Sequence, residues 1–272
     1  VSKAGYLQGR NYALSQERKR RGEPFPDLVL YGEGLEHCIH PEFLEDQLTR
    51  SLERLQLQTL DVFLLHNPEY YLGWAAKSGV PADEAQTEYD RRIETAFRRL
   101  EAEAEKGRIR WYGISSNTFP GAASDPQFTC LERVWAIAES ISKEHHFGVV
   151  QLPMNLFESG AVLNRNQPSR LTVLEFARQK NLGVLINRPL NAFTENRMVR
   201  LAEACERADV SAEEVAGRIQ ALADSEQNFV GRILPELNLD SGLASRILAQ
   251  FLAADALRQA WVSLSGYDHW RQ

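Results

Sequence analysis

Lys3, His66, the triplet Ser115-Ser116-Asn117, Gln151 with Asn155, and the pair Asn187-Arg188 share one property: each lies in or beside a short apolar run. Polar groups that recur at the ends of such runs can together line one pocket, the arrangement from which barrel enzymes build an active site. The stretch LDVFLLHNPEYYL, residues 60–72, shows how such a residue is placed. Its branched apolar residues end at His66, and Asn67-Pro68 stops the run because proline brings no N–H to a ladder. A run this short and apolar reads as a buried parallel strand. His66 then stands at the carboxyl end, where α/β barrels and open α/β sheets gather their chemistry. The stretch alone leaves a second reading open, a core histidine bonded to a backbone carbonyl.

The elements that must position these residues form a repeating unit of strand, loop and helix. Residues 1–7 open the chain with a short apolar run. Leu44, Leu48, Ser51, Leu52 and Leu55 fall at helical spacing within 40–57 and lead into a strand at 59–65. An insertion at 69–86, aromatic and then polar, precedes a helix over 87–106, with Ile93, Ala96, Phe97, Leu100 and Ala104 as its buried stripe and Gly107 where a C-terminal cap is wanted. Strands are expected at 109–114, 148–152 and 183–186, with helices at 130–142 and 171–180 between them. This alternation implies a parallel sheet with right-handed crossovers. The polar residues would then ring one pocket at one end of the sheet. Beyond Leu190 the chain reads as helix, with the capping box SAEE at 211–214, an amphipathic stretch over 243–261, and WVSL at 261–264 as a weak strand candidate.

Composition narrows the function. The chain has 272 residues, 43% hydrophobic and 25% charged, enough for one large α/β domain. Its formal charge of −6 disfavours nucleic acid or an anionic membrane as partner. The one basic run, RKRR at 18–21, sits among glutamates and reads as a solvated helix face. Cys38, Cys130 and Cys205 are odd in number and dispersed, which disfavours a disulfide framework and fits a reducing cytoplasm. HCIH at 37–40 and HH at 145–146 lack a further ligand at matching spacing, so no metal site is expected. No GxGxxG, P-loop or GxSxG motif occurs.

Taken in order, SKAGY, LDVFLLHNPE, GRIRWYGISSN, VVQLPMN and GVLINRPL resemble the aldo-keto reductase superfamily over roughly residues 1–192. The resemblance implies a (β/α)8, TIM-type barrel and hydride transfer between NADP (or NAD) and the carbonyl or alcohol carbon of a small or sugar-like substrate. Of the family's Asp, Tyr, Lys and His, Lys3 and His66 match the last two. Ser115, Ser116, Asn117 and Gln151 match positions that hold the nicotinamide carboxamide, and Pro189 and Leu190 match a loop under the pyrophosphate. Asn187 stands where a stacking tyrosine is common, and Arg188 where a serine is common, so Arg188 is a candidate for phosphate contact. Tyr70, Tyr71 and Trp74 are candidates for the substrate pocket, or equally for packing of the insertion.

The chain opens two residues before the lysine, without the Asp and Tyr, which implies a barrel lacking its first two strands, an internal portion of a longer enzyme. On this reading 1–192 is a partial barrel domain, and 193–272 its helical C-terminal part. The alternative is a non-catalytic, cofactor-binding barrel protein without the full tetrad. A barrel hydrolase or lyase using His66 as general base ranks last, for want of a carboxylate or metal partner at the strand ends. Substrate identity and oligomeric state are not legible.

Overall fold

The computed structural model describes residues 1–194, 197–201, 211–237 and 239–261. It comprises two compact units, Val1–Ala202 and Glu203–Gln272. The first begins with β1 (Ser2–Ala4), β2 (Tyr6–Leu7), α1 (Gly9–Arg20), β3 (Val29–Gly32), β4 (Leu35–His37), α2 (Pro41–Leu55) and β5 (Leu60–His66). It continues with α3 (Tyr70–Lys77), α4 (Ala82–Glu105), β6 (Ile109–Ser115), α5 (Leu131–Ile141), β7 (Phe147–Pro153), α6 (Gly160–Leu163), α7 (Val173–Gln179), β8 (Gly183–Asn187), β9 (Asn191–Thr194) and β10 (Arg197–Arg200).

Strands β1, β5, β6, β7 and β8 form one parallel sheet, in that order. Each new strand joins the same edge, so the order never reverses as it does in a doubly wound sheet; this is the winding of a parallel barrel. Among the described residues the arc has five strands, and β1 and β8 are its two edges. The crossover helices pack in a row on one face. There Phe63, Leu65, Tyr112, Ile114, Val150 and Leu152 meet Leu44, Leu48, Phe97, Leu100, Val134 and Phe176 in a single core. A fully buried Leu or Phe contributes about 1.5–3 kcal/mol relative to its exposed state, so this layer holds the sheet. The opposite face carries Lys3, Leu64, Gly113, Ser115, Val149 and Gln151 by register, and Leu64, though fully buried, lies outside the core cluster.

Several elements follow directly from local chemistry. Helix α2 starts at Pro41, and His40 caps it by accepting the Glu42 N–H on Nδ1. Helix α4 ends in Gly107, whose φ of 72° closes the turn and lets the Arg108 N–H reach the Glu103 carbonyl at 3.0 Å. Strand β7 holds one residue more than β6: Tyr112 pairs Phe147 but Gly113 pairs Val149, leaving Gly148 as a bulge.

Four regions differ from the sequence reading. The opening run breaks at Gly5 into β1, in the parallel sheet, and β2, in a separate antiparallel sheet of order β2-β4-β3. The charged stretch after it contains α1, which buries only Ser15 and so shows no apolar stripe, and its basic run is paired with Glu17, Glu36 and Glu42. Residues 191–194 and 197–200 pair as the antiparallel strands β9 and β10 rather than forming helix, with Phe193 and Met198 exposed; an apolar-run criterion passes over strands that bury so little. The insertion at 69–86 is helical throughout much of its length, as α3 and the first turn of α4.

In the second unit, Ser211 caps α8 (Ala212–Asn228), which continues through a π-helical turn at Phe229–Ile233 into α9 (Leu234–Glu236). Helices α10 (Ser241–Phe251) and α11 (Ala254–Trp261) follow. Glu226 of α8 accepts the Ala253 and Ala254 N–H groups at 2.7 and 3.0 Å and so caps α11. Most of the weak strand candidate at 261–264 lies outside the described residues.

Candidate active site

Register places Lys3 opposite Leu64, His66 opposite Ser115, Ser115 opposite Gln151, and Pro153 opposite Asn187. Strand side chains alternate, so these polar groups share the face that the helices leave uncovered, at the carboxyl ends. Two hydrogen bonds tie them together: Lys3 Nζ donates to Gln151 Oε1 at 2.7 Å and Ser115 Oγ donates to the same oxygen at 2.9 Å. The first bond spans two intervening strands, about 14 Å across a flat sheet, so it depends on the curl of the arc.

His66 packs edge-on against the Tyr6 ring, with centroids 4.5 Å apart. Burial, the nearby Lys3 charge and His37 lower its pKa to about 4, so the imidazole is neutral at pH 7 and has one N–H to donate. Partial burial lowers the Lys3 pKa as well. After His66 the chain turns at Asn67, whose φ of 51° lies in the left-handed region that asparagine tolerates. Asn67 fixes the turn twice, its N–H on the Ser115 carbonyl at 2.7 Å and its Nδ2 on the Tyr6 hydroxyl at 2.7 Å.

Glu69, one turn further, is fully buried, and sequence reasoning passed it over. Its Oε1 accepts the Asn117 N–H at 2.9 Å, while Oε2 is buried with no hydrogen-bond partner among the described residues. Burial pushes its pKa up to about 7 against the opposing pull of the Glu69 and Asn117 N–H groups and the Ser116 hydroxyl. Its place in HNPE, directly after a strand end, was the available signal.

The remaining candidates divide. Ser116 is buried away from the row, in a hydroxyl cluster with Thr118 and Thr129 that reaches Tyr89. Asn117 Oδ1 accepts from Arg188 Nη1 at 3.1 Å. Arg188 is held by Glu158, with Nη2 to Oε1 at 2.5 Å, so a phosphate would have to share or displace that carboxylate. Asn155 bonds Glu158 and the Arg188 and Asn191 carbonyls, organising the same loop. Asn187 Oδ1 is buried and has no partner among the described residues. Pro189 and Leu190 form the turn into β9, where Leu190 is exposed and its carbonyl accepts the Leu201 N–H at 2.8 Å. An open cleft of about 370 Å³ lies beside this group, lined by Asn117, Pro153, Phe157, Glu158 and Leu163 among others.

Of the three aromatic candidates, Tyr70 joins Tyr6, His37 and Tyr31 in a cluster around His66. Tyr71 belongs to the core, under the Arg92 guanidinium, and Trp74 packs against that core; the helical turn of α3 sends these residues to the other side. The histidine motifs are structural too. His40 is a helix cap, His146 Nδ1 bonds Glu101 Oε2 at 2.7 Å, and no group of metal-ligating side chains occurs among the described residues.

No curated protein matches the chain. Solved structures similar to it include a putative aldo-keto reductase from Pseudomonas aeruginosa at 18% identity, covering 55% of this chain and 43% of that one with a TM-score of 0.31. A glycerol dehydrogenase from Gluconobacter oxydans matches at 18% identity over 73% of this chain and 50% of that one, TM-score 0.36. An aldo/keto reductase from Brucella melitensis matches at 16% identity over 58% and 45%, TM-score 0.33. The chain therefore spans half or less of the length of these relatives. The family model for aldo/keto reductases matches residues 31–228, and the chain belongs to the aldo/keto reductase family.

Proposed function

We propose that this chain forms the Lys-His half of an oxidoreductase site that transfers a hydride between NADP (or NAD) and the carbonyl or alcohol carbon of a small or sugar-like substrate. The observation that carries this is the convergence of Lys3, His66, Ser115 and Gln151 from four successive strands onto one face, with three of them joined through Gln151 Oε1. The residues suit a nicotinamide carboxamide. Asn187 contributes a buried acceptor without a hydrogen-bond donor among the described residues, and Ser115, Asn117 and Gln151 contribute amide and hydroxyl groups along the same strand ends.

When bound, the nicotinamide supplies or accepts the hydride. The Lys3 ammonium stabilises negative charge developing on the substrate oxygen, and the neutral His66 imidazole donates a hydrogen bond to it. Ser115 and Gln151 restrict rotation of the bound amide, and Glu69 holds the Asn117 backbone beside them. Arg188 lies at the cofactor-facing loop with Pro189 and Leu190. The aromatic wall near the oxygen narrows to Tyr70 with Tyr6 and Tyr31. Turnover also needs an acid at that oxygen, which the resemblance assigns to a tyrosine preceding the lysine in the family.

Titration with NADPH and with NADH, followed by nicotinamide fluorescence, tests the reading. A saturable change is expected, weakened about 5- to 100-fold by Gln151→Leu, the effect of losing one or two polar contacts. No saturable change with either nucleotide would overturn it. Saturable binding without carbonyl-dependent oxidation would favour the non-catalytic binding protein.

A further inference from the structure

His37, the first histidine of HCIH, ends β4 and is 1% exposed. Its Nε2 lies 2.7 Å from the backbone carbonyl oxygen of His66. A carbonyl oxygen can only accept, so Nε2 carries a proton. Burial lowers the His37 pKa to about 4, with Arg92 as the nearby cation acting in the same direction, so the ring is neutral and its Nδ1 is bare.

The need for this bond follows from topology. Strand β1 pairs with β5 only as far as Ala4 opposite Leu65, so no residue of β1 stands opposite His66. The chain leaves the parallel sheet at Gly5, and the Cys38 N–H clamps the Gly5 carbonyl at 2.8 Å. A Cβ on Gly5 would fall 2.3 Å from the His66 oxygen and 2.8 Å from His37 Nε2, within the path of the bond. Only glycine leaves that path open. The next residue, Tyr6, pairs with His37 across β2–β4 and lays its ring against the His66 imidazole. The small antiparallel sheet thus holds both the backbone and the ring of His66.

We propose that His37 is a positioning residue, whose Nε2–H bond through the Gly5 gap fixes the height and orientation of the His66 imidazole at the end of β5. This deepens the proposed reductase site and rests on it for its catalytic meaning, but the tether itself requires no cofactor.

Histidine-selective ¹⁵N–¹H spectra of the 272-residue chain test it. The expected result is a neutral His37 with its proton on Nε2, slow to exchange. In His37→Phe, which fills the space without a donor, the His66 ring resonances shift, while those of His145 and His146, at the far end of the sheet, stay in place. In His37→Gln, whose amide can donate to the same carbonyl, the His66 resonances return toward their original positions. A His37 proton on Nδ1 alone, or His66 resonances indifferent to both substitutions, would overturn the proposal. If His37→Phe does not fold, the tautomer in the unsubstituted chain still decides. A tether confirmed in a chain that binds no nicotinamide would sink the reductase reading and leave the tether standing.

Discussion

The two ends of the parallel sheet bury carboxylates in opposite ways. At the amino end, Glu101 Oε1 accepts from the Tyr112 hydroxyl and the His146 N–H, both at 2.7 Å, and Oε2 from His146 Nδ1. Glu103, 1% exposed, has Lys106 and Arg99 on one oxygen and Arg108 on the other. At the carboxyl end, Glu69 is as deeply buried yet has one oxygen without a hydrogen-bond partner among the described residues, and Asn187 Oδ1 is in the same state. Buried polar atoms are normally paired, because an unpaired one costs about 1–3 kcal/mol. The contrast holds for the carboxylates alone: near the amino end the Arg99 guanidinium, Trp135 Nε1 and His145 Nδ1 also carry buried nitrogen atoms without a hydrogen-bond partner among the described residues. Glu69 and Asn187 keep acceptor capacity that the described residues do not use.

Substitutions can break or sharpen this contrast. The largest effect is expected at the amino end: Glu101→Ala leaves three donors without their acceptor, the buried Tyr112 hydroxyl among them, and should lower stability by about 3–5 kcal/mol. A urea midpoint that hardly moves would erase the distinction between the ends. At the open end the sign reverses. The Glu69 pKa, about 7 in the folded chain against an ordinary 4.5, means that the folded state resists ionising it. Its contribution is complete below about pH 4.5 and declines as pH rises through 7. Glu69→Gln should therefore stabilise the chain at pH 8 by up to about 3 kcal/mol and flatten that decline. A variant less stable than the parent at pH 8 would show that the carboxylate is satisfied after all.

His37 and His66 slope the other way. Their pKa values, lowered to about 4 from 6.5, give stability that is present above 6.5 and lost as pH falls through 4. The smallest effect is expected at Arg188. Its pairing with Glu158 is partly exposed, so Arg188→Ala should change the urea midpoint little, by about 1 kcal/mol or less. NADPH affinity should fall about 5- to 10-fold if the guanidinium also meets a phosphate. Unchanged affinity would confine Arg188 to holding its loop.

The main sheet was legible because its strands are buried on the helix face and end on polar residues. LDVFLLH shows both, and its helices α2 and α4 carry regular apolar stripes. Helix α1 and the pairs β3–β4 and β9–β10 were not, since α1 buries only a serine and the β9–β10 strands leave Phe193 and Met198 in solvent. The candidates that the structure gathers in one row are those within a strand or at its last residue. Lys3, His66, Ser115 and Gln151 all lie in the row. Tyr71 and Trp74 were only near it in sequence, and the helical periodicity of α3 turns them into the core. His37 could not be found this way, because its role depends on a carbonyl 29 residues along the chain and on a missing Cβ at Gly5.

The Gly148 bulge sets which layer each half of β7 serves. Phe147 lies in the helix-side core, as do Val150 and Leu152, whereas Val149 and Gln151 pair with Gly113 and Ser115 on the other side. Strict alternation would have put Phe147 and Gln151 on one side together. A single supernumerary glycine switches the strand's odd-even code midway, and a side chain there would come within 2.8 Å of the Trp111 ring. Removing that one residue would force the strand to surrender either its aromatic anchor or the glutamine that Lys3 and Ser115 share.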